Sequence, residues 1–140
     1  MIVDQSALTE IRESWRGVEL LRNRLQRALL GSFAQGGSFA IFAADAAHNL
    51  PFVHAYSVLN DVLRQLALES HFKCKSIFLG ALLDASEHKL SWKNFCLIKE
   101  GACRRNDVAH RGEVLPRGDC WKYIDAMHEQ LLEWKVLDAS

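Results

Sequence analysis

The residues best suited to chemistry lie close together in one segment, residues 103–112, which reads CRRNDVAHRG. Histidine suits general acid or general base catalysis because its unperturbed pKa lies near neutrality. Arginine stays protonated and presents a planar fork of donors that matches phosphate oxygens. Arg105 and His110 therefore combine a proton-transfer group with a positive charge, which suits chemistry at a phosphate without a metal ion.

This segment is predicted to form the end of a helix. Gly112 stands where a left-handed residue commonly follows a helix, and Pro116 comes soon after it. Asn106 and His110 are four residues apart, so they share one face of that helix, whereas Arg105 lies about 140° around from His110. Only the length of its side chain lets Arg105 reach the same site, and we expect Asn106 to orient His110 or the backbone. The helix dipole at this end favours the protonated imidazole, which is the form a general acid needs.

Apolar residues recur at helical spacing along most of the chain, and only two prolines interrupt it. This periodicity predicts an all-α fold, an antiparallel bundle of four to five helices that forms a single domain over residues 1–140. A connection is expected over residues 31–37, and a break before Pro51, because the residue preceding a proline avoids the helical region. With Ser38 and Ser91 as N-caps, the expected helices are Asp4 or Ser6 to Gly31, Ser38 to about His48, Phe52 to Leu66, Ile77 to Leu83, Ser91 to His110, and Asp119 to Val136.

The composition excludes several classes of protein. Lys and Arg number 17, as do Asp and Glu, so no overall charge indicates a nucleic-acid or membrane partner, although residues 102–123 offer a local basic cluster. The four cysteines include no Cys-x-x-Cys pair and no tight cluster with histidine, so we expect no metal and no cofactor. Neither a signal-peptide pattern nor an apolar stretch of membrane-spanning length is seen, so we expect a cytoplasmic protein with reduced thiols.

Residues 103–112 resemble the signature of the HEPN superfamily, in which an arginine, usually followed by a polar residue, precedes a histidine by four to six positions. Arg105 and His110 match it with four residues between them, Asn106 supplies the polar position, and Gly112 follows as in common bacterial members. Residues 79–85 resemble the helix that often precedes the motif, and the order of helices agrees over most of the chain. Arg104 also falls within the permitted spacing, so the sequence leaves open which arginine serves.

The resemblance implies a homodimer that joins two copies of the motif in one cleft. It also implies a metal-independent endoribonuclease that cleaves single-stranded RNA through a 2′,3′-cyclic phosphate, with Arg105, His110 and Asn106 as catalytic residues and Arg104 and Arg111 as RNA-binding residues. Many members are toxins paired with a nucleotidyltransferase-type antitoxin, or act in antiviral defence. Others are not catalytic, so the alternative function is an interaction module that binds a nucleotidyltransferase-like partner or nucleotides.

A purely structural interpretation of the same segment, as part of a plain helical adaptor, competes with these expectations. Cys96, Cys103 and His110 are spaced by seven and lie on roughly one helical face, where His110 could be a core histidine bonded to a backbone carbonyl. Arg104 and Arg105 would then form solvated ion pairs at the surface. Trp121, close to the basic cluster, is the tryptophan worth testing for base stacking, and the other five histidines are expected to have no catalytic role.

Overall fold

The computed structural model describes the backbone of residues 1–33 and 38–138, and the side chains of residues 1–27 and 43–138. The all-α bundle of four to five helices predicted from the sequence is confirmed for these ranges, which contain no strand. None of the described helices is long and apolar enough to cross a bilayer. The five helices are α1 (Gln5–Phe33), α2 (Ser38–Leu68), α3 (Leu79–Ser86), α4 (Phe95–Arg111) and α5 (Arg117–Glu133).

α2 is the central helix of the bundle, since it contacts α1, α3, α4 and α5. Its fully buried side chains follow helical spacing, as do those on the facing stripes of α1 and α5. Burial of each large apolar side chain contributes about 1.5–3 kcal/mol, so these stripes form the core. They include Phe52, Tyr56, Leu59, Leu63 and Leu66 on α2, Leu8, Ile11, Trp15 and Val18 on α1, and Ile124, Met127 and Leu131 on α5.

Pro51 lies inside α2, so the predicted break between a short helix and a second long helix is wrong. A proline in a helix interior removes one backbone hydrogen bond and disfavours helical geometry in the residue before it. The preceding turn is held by the Asn49 side chain, which donates to the Leu115 carbonyl and accepts from the Leu115 N–H, both at 3.0 Å. It also donates to the Asp45 carbonyl at 2.6 Å. These contacts and the burial of Phe52 outweigh the local preference for a helix break before Pro51.

The first helix starts where it was predicted to start but ends later. Asp4 caps α1, because its Oδ1 accepts from the N–H groups of Ser6 and Ala7 at 3.0 and 3.1 Å. The helix continues to Phe33 rather than stopping at Gly31, so the first part of the expected connection is helical. The rest of that connection, residues 34–37, lies outside the described residues.

The start of α4 differs from the prediction that Ser91 caps the fourth helix. α4 begins at Phe95, and Asn94 precedes it without a side-chain cap. The Ser91 carbonyl accepts from the side chains of Gln130 and Trp134 at 3.2 and 3.1 Å, so it serves a tertiary contact with α5 and its end. These hydrogen bonds hold the segment before α4 as a loop.

The ranges of α3 and α5 also differ from those predicted, 77–83 and 119–136. α3 begins only at Leu79, because the Phe78 N–H donates to the Ser76 hydroxyl at 3.1 Å and Phe78 keeps an extended backbone. α5 ends at Glu133, and Lys135 then adopts a left-handed conformation with φ 58°. The backbone conformations of Phe78 and Lys135 therefore mark the start of α3 and the end of α5.

Gly101 marks a close approach of α4 to its neighbours. A Cβ atom here would overlap the Tyr56 hydroxyl and would lie 2.6 Å from Cδ1 of Tyr123. The Tyr56 hydroxyl uses this space to donate to the Ile98 carbonyl of α4 at 2.8 Å. Burial raises the pKa of Tyr56 well above its ordinary value, so the hydroxyl remains a donor. α4 is thereby fixed against α2 and α5.

The first prediction concerns this contact. Gly101→Ala should lower the free energy of unfolding by about 1–3 kcal/mol, because the added methyl group must displace two fully buried rings. Gly80→Ala is the matched control, since Gly80 is helical and nothing lies within 4 Å of its added Cβ. The control should gain about 0.5–1 kcal/mol from reduced backbone entropy. Urea denaturation checks both values, and equal stability of the two variants would contradict the close approach.

Candidate functional site

The candidate site is the last two turns of α4. The helix ends where Gly112 adopts a left-handed conformation with φ 67°, and the Gly112 N–H donates to the Asp107 carbonyl. Glycine adopts this conformation without steric cost, so it terminates the helix at a defined residue. The predicted helix end is confirmed, and it places His110 and Arg111 in the final turn.

Arg104 points toward α5. Its Nη1 donates to the Asp119 carboxylate at 3.0 Å and to the Tyr123 hydroxyl at 3.3 Å, and its guanidinium lies 5.9 Å from the Tyr123 ring centroid. The hydrogen bond to Tyr123, and then that to Asp119, raises the pKa of Arg104 against the opposing effect of burial. Arg104 thus joins α4 to α5, and its charge is already paired with a carboxylate.

Arg105 lies on a different side of the helix and contacts its own neighbour. Its Nη1 donates to the Asn106 Oδ1 at 3.0 Å, while its Nε is buried and has no hydrogen-bond partner among the described residues. The Asn106 side chain is exposed. Since Asn106 shares a helical face with His110 by its spacing, this contact turns the Arg105 guanidinium toward that face.

His110 is exposed and forms no side-chain hydrogen bond or ion pair with another described residue. The interpretation of His110 as a core histidine is therefore wrong. Cys96 and Cys103 are also exposed, so the face predicted from the seven-residue spacing points outward. We call this face, with Cys96, Cys103, Asn106 and His110, the outer face of α4. Arg111 borders it and lies 3.8 Å from the Asp107 carboxylate.

The structure therefore groups some of the predicted site residues and separates others. Arg105 and Asn106 are in contact, and His110 shares their exposed turns, whereas Arg104 is turned toward α5. Asn106 and His110 are exposed, and the half-buried Arg105 contacts Asn106. Within the described ranges, no group of three or more His, Cys, Asp or Glu side chains could hold a metal ion.

No protein-family model, curated protein or solved structure matches this chain. A function is therefore inferred from the residues of α4 and from the elements that hold them in place.

The loop that follows the site is anchored to α2. Asn49 holds both backbone groups of Leu115, and the Asp45 carboxylate accepts from the Arg117 N–H at 3.0 Å. The first contact fixes the middle of the loop, and the second caps the start of α5. Sequence analysis did not identify these two residues, and a lone buried asparagine before a proline gave no signal of a partner so distant in the chain.

A second polar cluster lies around Trp121, which sequence analysis marked as a possible base-stacking residue. The Trp121 Nε1 donates to the Nδ1 of fully buried His48 at 3.2 Å. The guanidinium groups of Arg22 and Arg117 lie 5.4 and 5.8 Å from the Trp121 ring centroid. Burial, and then the charges of Arg117 and Arg22, lowers the pKa of His48 against the effect of Asp45. The indole ring is thus already packed against protein cations.

The second prediction tests the anchor of the loop. Asn49→Ala should lower the free energy of unfolding by about 1–3 kcal/mol, since it leaves two backbone groups of buried Leu115 without a partner. Amide exchange of residues 112–115 and of Arg117 should also become faster. Asn60→Ala is the matched control, because Asn60 is half-buried on the same helix and its side chain has no hydrogen bond to a described residue. An equal loss of stability in both variants would refute the role of Asn49.

Proposed function

We propose that this protein is a HEPN-type, metal-independent endoribonuclease that acts on single-stranded RNA as a homodimer. The observation that carries the proposal is the open surface at the end of α4, where His110 and Asn106 are exposed and Arg105 is turned toward Asn106. This arrangement supports the role that the resemblance of residues 103–112 to the HEPN signature implies.

The proposed reaction is the attack of a 2′-hydroxyl on the adjacent phosphate. The 2′-oxygen loses its proton to a base, bonds to phosphorus, and displaces the 5′-oxygen, which takes a proton from an acid. His110 is the proton-transfer group, and protein cations stabilise the charge that builds on the phosphate oxygens. The products are a 2′,3′-cyclic phosphate and a 5′-hydroxyl, and Asn106 orients the groups beside it.

Arg105 is the best placed of the three arginines to contact the scissile phosphate. Arg104 pairs with Asp119, and Arg111 lies within ion-pair distance of Asp107. Among the described residues Arg105 has no carboxylate partner, and its Nη1 donates to the neutral amide of Asn106. Because a paired guanidinium must give up its partner before binding phosphate, we assign the charge role to Arg105 and a supporting role in RNA binding to Arg104 and Arg111.

A homodimer would supply the second proton-transfer group that the motif of one chain lacks. The proposed reaction needs an acid and a base, and the motif of one chain supplies a single histidine. A two-fold axis at the outer face of α4 would bring two copies of His110 to one groove and separate these roles. The exposed side chains of Cys103 and Asn106 on this face are small enough to permit close approach of two helices.

The third prediction uses the native cysteines as reporters of this dimer. If two antiparallel α4 helices cross at His110, the Cys103 positions lie about 20 Å apart and the Cys96 positions about 40 Å apart, given a rise of about 1.5 Å per residue. A bis-maleimide that spans about 20 Å but not about 40 Å should then cross-link a Cys74→Ser/Cys96→Ser variant through Cys103. The matched Cys74→Ser/Cys103→Ser variant, which keeps Cys96, should remain uncross-linked.

Light scattering at micromolar concentration should report a dimer for both of these cysteine variants. A monomer would disprove the proposed dimer, and so would cross-linking through Cys96 in preference to Cys103. In either case the two His110 side chains would not share a groove.

The fourth prediction concerns catalysis. The purified protein should cleave single-stranded RNA in the presence of EDTA and leave DNA intact, because the nucleophile is the 2′-hydroxyl. His110→Ala should reduce the rate by at least ~10²-fold through loss of proton transfer. Arg105→Ala should reduce it by ~10²-fold or more through loss of charge stabilisation. Mass spectrometry of the products should find 2′,3′-cyclic phosphate ends.

Matched controls separate catalysis from folding. His88→Ala and Arg24→Ala remove exposed side chains of the same types away from the motif and should retain full activity. Both motif variants should keep the wild-type melting temperature, since neither removes a core side chain. Cleavage that survives both motif substitutions would disprove the assignment, and absence of cleavage across varied RNAs would instead favour the non-catalytic module that binds a nucleotidyltransferase-like partner.

A further inference from the structure

Three large apolar side chains are exposed together where α2 ends and α3 begins. Leu68, Ile77 and Phe78 are 79, 59 and 75% exposed. Leu68 and Ile77 line one groove, and Phe78 follows Ile77 in the chain. We call these three residues the α2–α3 patch. Single exposed apolar residues are ordinary on proteins, whereas a cluster of them indicates a contact surface.

The patch is presented by an ordered backbone. Cys74 donates through its thiol to the Ser76 carbonyl, and the Ser76 hydroxyl accepts from the Phe78 N–H at 3.1 Å. The Phe78 carbonyl in turn accepts the first backbone hydrogen bond of α3, from Leu82, at 3.0 Å. The backbone that carries Ile77 and Phe78 is therefore already held in one conformation, which reduces the backbone entropy lost on binding.

A groove of about 190 Å³ lies beside the patch. Its apolar lining comes from Ala67, Leu68, Ile77 and Leu82, of which Leu82 is buried. A cavity of about 150 Å³ lined by apolar side chains is large enough for a benzene ring. The groove thus has room for one aromatic or large aliphatic side chain.

Two of the residues that line the groove carry positive charge. Arg64 and Lys75 line it, and Lys73 stands two residues before Lys75. All three side chains are exposed, and none forms an ion pair or hydrogen bond with another described residue. Arg64 also lines an adjoining groove together with Glu10 and Asp61, whereas Lys75 does not line that groove.

From these features we infer that the α2–α3 patch is a docking site for an acidic peptide segment of a partner protein. One apolar side chain of the segment occupies the groove, and flanking Asp or Glu side chains contact Lys75 and Lys73. At many interfaces an apolar anchor in a pocket supplies most of the affinity. Complementary charges beside it supply specificity. A membrane surface has no single side chain to fill the groove, and a second copy of this net-neutral chain offers no excess of acidic charge. This proposal does not depend on the proposed ribonuclease activity.

Selection from a phage-displayed library of random peptides tests the inference, with wild-type protein as bait and the Ile77→Ser/Phe78→Ser variant for counter-selection. The selected peptides should carry an aromatic or large aliphatic residue flanked by Asp or Glu. A synthetic peptide with one of the selected sequences should, by calorimetry, bind the Ile77→Ser/Phe78→Ser variant at least ~10-fold more weakly than the wild-type protein. Lys73→Glu/Lys75→Glu should weaken binding by about fivefold or more. The controls Leu20→Ser and Lys89→Glu, which change exposed residues elsewhere, should leave affinity unchanged.

Several results would overturn the inference. Failure to enrich any peptide, enrichment of peptides without acidic residues, or equal affinity in the patch variants would each do so. Binding to phosphatidylserine vesicles that Ile77→Ser/Phe78→Ser abolishes would make the patch a membrane-binding surface. A dimer in light scattering that the same variant converts to a monomer would make it an interface between two copies. The variant changes only exposed side chains, and an unchanged circular dichroism spectrum should confirm that it folds.

Discussion

The contact of α4 with the rings of Tyr56 and Tyr123 at Gly101 is the constraint on which the candidate site depends. Without a Cβ at Gly101, the Tyr56 hydroxyl reaches the Ile98 carbonyl at 2.8 Å and fixes the rotation of α4 about its axis. One turn later, Arg104 extends this contact to Tyr123 on α5. With that side turned inward, helical geometry directs the residues on the opposite side of α4 toward solvent. His110 and Asn106 are exposed for this reason.

Much of the fold could be predicted from the sequence, because apolar periodicity reports which face of a helix is buried. The stripes of α1, α2 and α5 and the end of α4 at Gly112 follow from local rules that no distant contact opposes. The errors at Pro51 and Ser91 have one cause. In both places a local preference for a break or a cap is overruled by hydrogen bonds to Leu115 or to α5, which a sequence pattern does not contain.

The candidate site could be predicted in part for the same reason. The shared face of Asn106 and His110 follows from their spacing, and both side chains are exposed as the functional interpretation requires. The different surroundings of Arg104 and Arg105 could not be predicted from the sequence. They depend on Asp119 and Tyr123, which lie beyond a loop and contact Arg104 only once α4 and α5 have packed together. Adjacent residues of one type thus acquire different environments through tertiary structure alone.

The geometry of α2 bears on how the two proposed surfaces relate. Asn49 anchors the loop after the site, and Leu68 lies at the patch, so the two residues are about 28 Å apart along the helix at about 1.5 Å per residue. A peptide anchored by one side chain beside Leu68 does not cover that distance. Sites this far apart, with no shared contact partner, usually act independently on stability. The effects of substitutions at the patch and at the Asn49 anchor should therefore add.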